Sequence, residues 1–130
     1  MLTPVMPEAR LRAELDALHA ECAGLQGAAV ASGDGLALCA TGLLGSDTAS
    51  AAAAFLLGEI DVHLTMLRAG PVREALVWTD AGPWYLTRVG RLPHVLLLCA
   101  SETPAAVLRH AGALACARIE PLLASLTEHA

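Results

Sequence analysis

Lysine is missing from the chain altogether: the eight basic residues are arginines, at 10, 12, 68, 73, 88, 91, 109 and 118. They are scattered rather than clustered, and the formal net charge is −5. Nucleic-acid binding asks for a basic stripe facing the phosphates, so no nucleic-acid partner is expected. Aromatic residues are nearly as scarce, with two Trp, one Tyr and one Phe in 130 residues. Cys22, Cys39, Cys99 and Cys116 form no CxxC pair, and each lies in an apolar run. That spacing speaks against a metal site and for small reduced thiols in a core. No apolar run reaches the roughly 18 residues of a membrane span, and no charged-then-apolar leader opens the chain. A cytoplasmic protein without membrane insertion is expected.

Catalytic signatures are lacking too. Of His19, His63, His94, His110 and His129, no two stand at i, i+4. His19 and Cys22 share one helical stretch, but no third ligand is placed to complete a metal site. No serine sits in a GxSxG elbow. Glu59 and Asp61, two apart on a helix, point away from each other and make no carboxylate pair. Gly33-Asp34-Gly35 has neither a GxGxxG pattern nor a P-loop lysine, and it reads as a turn. No catalytic residue, cofactor or metal is assigned, and the chain is not expected to be an enzyme.

What the chain does have is apolar content, 55% of residues, in a length that suits one domain spanning 1–130. Leu11, Leu15, Leu18 and Cys22 recur at helical spacing, after a helix start at Thr3, Pro4 and Pro7 and before Gly24. Two short apolar runs, 28–31 and 36–40, flank Ser32-Gly33-Asp34-Gly35 and predict a hairpin. Ser46 or Asp47 caps a long Ala-rich helix that Gly70-Pro71 stops. Strands are expected over 72–79 and 84–89 around the turn Asp80-Ala81-Gly82-Pro83. The run 94–100 is apolar throughout, as in a strand covered on both faces. Thr103-Pro104 opens a last helix burying Val107, Ala111, Leu114, Ile119, Leu122 and Leu126, with a kink at Pro121. Trp78, Trp84 and Tyr85 are placed in packing at the sheet edge.

The order is α-β-β-α-β-β-β-α, an α/β three-layer arrangement with a five-stranded antiparallel sheet. Its second helix, 46–67, carries one apolar face too many. Ala49, Ala53, Leu56, Ile60, Leu64 and Leu67 form the face expected on the sheet, while Ser50, Asp61, Thr65 and Arg68 form a polar strip. Phe55, Val62 and Met66 form a second apolar face, which asks for a second partner. The strand at 72–79 alternates Val72, Glu74, Leu76 and Trp78 against Arg73, Ala75 and Val77. It has no Pro or Lys to blunt an exposed edge, so the edge is expected to be paired.

The stretch Gly27 to Leu38, the Ala-rich helix before Leu67-Arg68-Ala69-Gly70, and Leu86-Thr87-Arg88-Val89-Gly90 before the apolar last strand together resemble the roadblock/dynein light chain family. The bacterial, MglB-type branch is the nearest in pattern, and the resemblance runs from about Leu11 to Leu123. It implies strand order 2-1-5-4-3, with helices 1 and 3 on one face and helix 2 on the other. It further implies a homodimer in which the third strands pair and the second helices lie side by side. The role it implies is that of a regulator or scaffold for a small Ras-like GTPase, as a GTPase-activating partner in the MglB-type branch. No arginine on helix 2 is placed as a finger, Arg68 lying at its end, so activation would work by reshaping the GTPase. Two other classes compete: a small-ligand sensor with a polar cavity near Trp84 and Tyr85, and a structural subunit of a cytoplasmic assembly.

Overall fold

A computed structural model describes residues 7–34, 36–45 and 47–128. The start at Thr3 and Pro4, Gly35 of the first turn, the Ser46 cap and His129 lie outside the described residues, as do the side chains of Ala49, Ser50 and Ala53. The elements are α1 (Pro7–Glu21), β1 (Leu25–Ala31), β2 (Ala37–Gly42), α2 (Asp47–Met66), β3 (Glu74–Thr79), β4 (Gly82–Arg88), β5 (Val95–Ala100) and α3 (Ala105–Glu128). The sheet runs β2-β1-β5-β4-β3 with every neighbouring pair antiparallel, in the expected order.

Because successive strand residues face opposite ways, each strand feeds two cores. Ala28, Val30, Leu96, Leu98 and Tyr85 pack under α1 and α3, joined by Leu11, Leu15, Leu18 and Cys22 as the helical spacing requires. Ala29, Leu86, Val95, Leu97 and Cys99 face the other way, toward α2. Central strand β5 is buried along its whole length, which its unbroken apolar run demands.

Two of the three helices, α2 and α3, take a different rotation from the one their apolar spacing suggests. On α3 the innermost residues are Leu108, Ala115, Ile119 and Leu123, while Val107 and Leu114 are about half exposed. Gly112 fixes this phase: a Cβ there would stand 2.5 Å from the Tyr85 ring, so the helix sets its one glycine against the sheet's one tyrosine. On α2 the buried anchor is Leu57, at 1% exposure, with Ile60 and Leu64 partly buried beside it. Leu56 and Leu67 lie at the surface instead. Leucines stand at both 56 and 57, so spacing alone does not choose between them. Asp61 does, as its partners below show.

Turns and caps also depart from expectation. Thr79 pairs with Gly82, so the β3–β4 turn shrinks to Asp80-Ala81, and Pro83 lies inside β4. Proline is tolerated there because the β5 ladder begins only at Trp84, leaving position 83 no amide to donate on that side. Thr103 does not cap α3: its hydroxyl donates to the Ala23 carbonyl at 2.6 Å and ties the β5–α3 connection to the α1–β1 turn. Helix α3 continues through Pro121. The end of α2 is closed by Ala69 N–H to the Leu64 carbonyl and Arg68 N–H to the Thr65 carbonyl, both 2.9 Å. That paired cap needs a left-handed residue at its corner, and Arg68 takes the position, with φ 62°.

Candidate functional site

The candidate surface lies along α2 and the outer edge of β3. Helix α2 sits over β1, β5 and β2, and leaves the β4–β3 side of the sheet open. An apolar groove lined by Ala52, Leu56, Val77, Trp84, Leu86 and Leu97 occupies the space. Phe55, Val62 and Met66 are 70%, 56% and 76% exposed on α2. They are separate from Leu57 and Ile60, which hold the helix to the sheet.

Among the described residues, strand β3 is hydrogen-bonded on one side only, to β4. Its register pairs Leu76 with Tyr85, so Glu74, Leu76 and Trp78 face the α3 side, while Ala75, Val77 and Thr79 face α2. Trp78, 68% exposed, stands at the tip of this edge. Val72 belongs elsewhere: it precedes the strand, is buried in the α2-side core, and donates its N–H to Asp61 at 2.5 Å. The alternation expected over 72–79 thus holds from Glu74 onward. Before it the chain turns inward to meet α2.

Two polar clasps fix this region. Asp61, expected in the polar strip of α2, turns inward, taking the Val72 N–H and an Nη2 donor of Arg88. Arg88 also donates from Nε to the Val72 carbonyl at 2.8 Å. Helix α2, the connection before β3 and strand β4 are thereby joined at one point. Aspartate and arginine 27 residues apart carry no spacing signal, which is why the sequence does not show the pair.

The second clasp is Glu74, which accepts from Tyr85 Oη at 2.5 Å and from Arg109 Nε at 2.8 Å. The Arg109 guanidinium, and then the Tyr85 hydroxyl, hold the Glu74 carboxyl below its usual range. Burial, reinforced by the hydrogen bond to Glu74, pushes the Tyr85 phenol up to about 12. Tyr85 is thus a buried tether between edge strand and α3. The groove beside Trp84 is apolar, while the open pocket beside Tyr85 is lined in part by Glu74, Arg109 and His110.

Of the remaining candidates, His19 and Cys22 are accounted for by their packing, whereas the buried Nδ1 of His94 has no hydrogen-bond partner among the described residues. His19 Nε2 shares a hydrogen bond with Thr41 Oγ1 at 2.8 Å, and Cys22 is turned into the core. Burial raises the thiol pKa of Cys22, Cys39, Cys99 and Cys116. Four arginines that are scattered in sequence, 73, 88, 91 and 109, converge on a single pocket. No helix among the described residues is long and apolar enough to cross a membrane.

Comparison with known proteins places this geometry in a context. A family model described as the Roadblock/LC7 domain matches residues 11–101. No curated protein sequence matches. Among solved structures, a Roadblock/LC7 domain from Streptomyces avermitilis is 24% identical with a TM-score of 0.76, covering 86% of this chain and 96% of that one. The gliding protein MglB of Thermus thermophilus is 17% identical with a TM-score of 0.78, covering 94% of each chain. Myxococcus xanthus MglB is 14% identical with a TM-score of 0.80, covering 97% of this chain and 96% of that one. At such identities the likeness is one of fold.

Proposed function

Because the chain belongs to the Roadblock/LC7 domain family, we propose that it works by binding: a homodimeric regulator or scaffold that engages a small Ras-like GTPase through the α2 layer. The observation that carries this reading is the outward apolar face of α2, Phe55, Val62 and Met66, together with the apolar groove beside it. Burying a large apolar side chain contributes about 1.5–3 kcal/mol, so three of them left in water on one helix favour a partner. In this reading β3 pairs with the β3 of a second copy along Glu74, Leu76 and Trp78, removing the open edge. The second α2 helix then lies beside the first. The client GTPase docks on the resulting layer. Arg68 stands past the last turn of α2 rather than on its face. As an activator rather than a scaffold, it would work by reshaping the GTPase, without an arginine supplied from that helix.

The test is oligomeric state and binding measured together. Leu76→Lys should convert a dimer to monomer in sedimentation. Trp78→Lys, at an exposed position, should do the same without disturbing the core. Val62→Asp should weaken self-association or binding to the Ras-like GTPase encoded nearest its gene. Edge variants that remain dimeric overturn the strand pairing, and a Val62→Asp protein unchanged in both measurements overturns the role of the α2 face.

A further inference from the structure

In a chain of net charge −5, four of the eight arginines line one open pocket of about 510 Å³. Arg73 comes from the residue before β3, Arg88 from the end of β4, Arg91 from the β4–β5 loop and Arg109 from α3, with Thr87 and Gly90 between them. Arg88 and Arg109 are each fixed by a carboxylate, Asp61 and Glu74. Arg109 gives both Nε and Nη2 to Glu74, whereas Arg88 gives Nη2 to Asp61 and Nε to the Val72 carbonyl, so Nη1 of each guanidinium has no hydrogen-bond partner among the described residues. Arg73 and Arg91 are exposed and have no ion-pair partner among the described residues. One more carboxylate, that of Glu120, approaches Gly90 at the rim. Guanidiniums still outnumber carboxylates.

Solvated arginines of like charge gain by spreading apart, so four of them drawn together from separate elements constitute a positive site. A carboxylate has two oxygens, and one arginine fork satisfies them, as Glu74 and Arg109 already show. Several forks approaching from different directions suit a tetrahedral anion with more oxygens and more charge. We infer that this pocket binds a phosphate group, as a phosphomonoester or pyrophosphate, with Arg73 and Arg91 supplying the free charge and Arg109 a preset donor, while the Arg88 guanidinium stays turned to Asp61 on the α2 side. Its volume lies in the range of small-ligand pockets, about 300–1,000 Å³. The site is at the open end of the β3–β4 hairpin, away from Phe55, Val62 and Met66. Glu74 is the residue it shares with the proposed dimer strand, and none of its arginines lies on the α2 face, so pyrophosphate binding is read apart from GTPase binding.

Inorganic pyrophosphate titrated into the full chain by calorimetry, at ionic strength held constant with chloride, tests it directly. Saturable binding is expected. Replacing Arg73 and Arg91 together with Gln should weaken it by about tenfold or more, since charge-assisted bonds are about twice as strong as neutral ones. Arg10→Gln, an exposed change on α1, should leave it unaltered. Absence of saturable binding, or equal affinity in the double variant, overturns the assignment. Co-sedimentation with vesicles then separates the sources. Retention by phosphatidylinositol-phosphate vesicles but not phosphatidylserine vesicles, lost in the double variant, identifies a lipid headgroup. Pyrophosphate binding without retention identifies a soluble ligand. Equal retention by both vesicles overturns phosphate specificity.

Discussion

Replacing Asp61 with Ala should loosen α2 from the rest of the fold at a cost of about 2–3 kcal/mol. The figure follows from what the carboxylate holds. It accepts the Val72 N–H at 2.5 Å and an Arg88 Nη2 donor, and hydrogen bonds to a charged group contribute about 1.5–3 kcal/mol each. The pair is not sealed: the Arg88 and Asp61 side chains keep 27% and 25% of their exposure, so water recovers part of the loss. An ordinary exposed ion pair would give about 0.2–1 kcal/mol. The larger value is expected because the Val72 amide, within a buried residue, loses its acceptor together with Arg88. Measured against a typical total of about 5–15 kcal/mol, the loss is substantial. It should fall mainly on α2, whose fully buried described anchor is Leu57 alone. Urea denaturation at fixed protein concentration, with native-state amide exchange across 47–66, reads both quantities. Asp61→Asn should cost less, since an amide oxygen still accepts from Val72. A double-mutant cycle with Arg88→Gln should give a coupling above about 1 kcal/mol. An Asp61→Ala protein within about 0.5 kcal/mol of the parent, with unchanged exchange in α2, would refute the clasp.

Arg68 occupies a left-handed corner, at φ 62°, that costs a non-glycine residue roughly 1–2 kcal/mol, so Arg68→Gly should raise stability by about 0.5–1 kcal/mol after the entropy of glycine is counted. Loss of stability in urea would contradict the paired cap. Tyr85 is the sole tyrosine, so tyrosinate absorbance reports it alone. Its pKa is raised from 10 to about 12, so its contribution to stability is complete below pH 10 and is lost as pH climbs toward 12. Tyr85→Phe should remove that part of the alkaline loss, and a folded-state midpoint near 10 would show the phenol to be free. Glu74, whose pKa is lowered, stabilises above the ordinary carboxylate range and loses that contribution as pH falls through its depressed value. Glu74→Gln should therefore flatten the acid limb of stability against pH, and an unchanged limb would count against the clasp.

Much of the fold was legible because its signals are local. The i, i+4, i+7, i+11 series of α1 could satisfy only one face, and Leu11, Leu15, Leu18 and Cys22 are all buried there. The unbroken apolar run at 95–100 required cover on both sides and has it. Glycine turns bounded the hairpins to within a few residues. Of the candidate surface, Phe55, Val62 and Met66 stand apart on α2 by spacing alone, and all three are exposed. The adjoining groove was not legible, because Leu56 and Val77 belong to different elements and look like core in sequence.

Sequence alone determined the kind and order of the elements and the doubly covered central strand, since these depend on periodicity and turn chemistry within a few residues. Tertiary structure decided the rotation of the helices. In an Ala- and Leu-rich helix many rotations bury similar apolar area, and the choice falls to distant polar or steric partners: Asp61 with Arg88 for α2, Gly112 with Tyr85 for α3. The same long-range closure brought Arg73, Arg88, Arg91 and Arg109 to one pocket. Charges read along the chain are scattered until folding sets their separations in space.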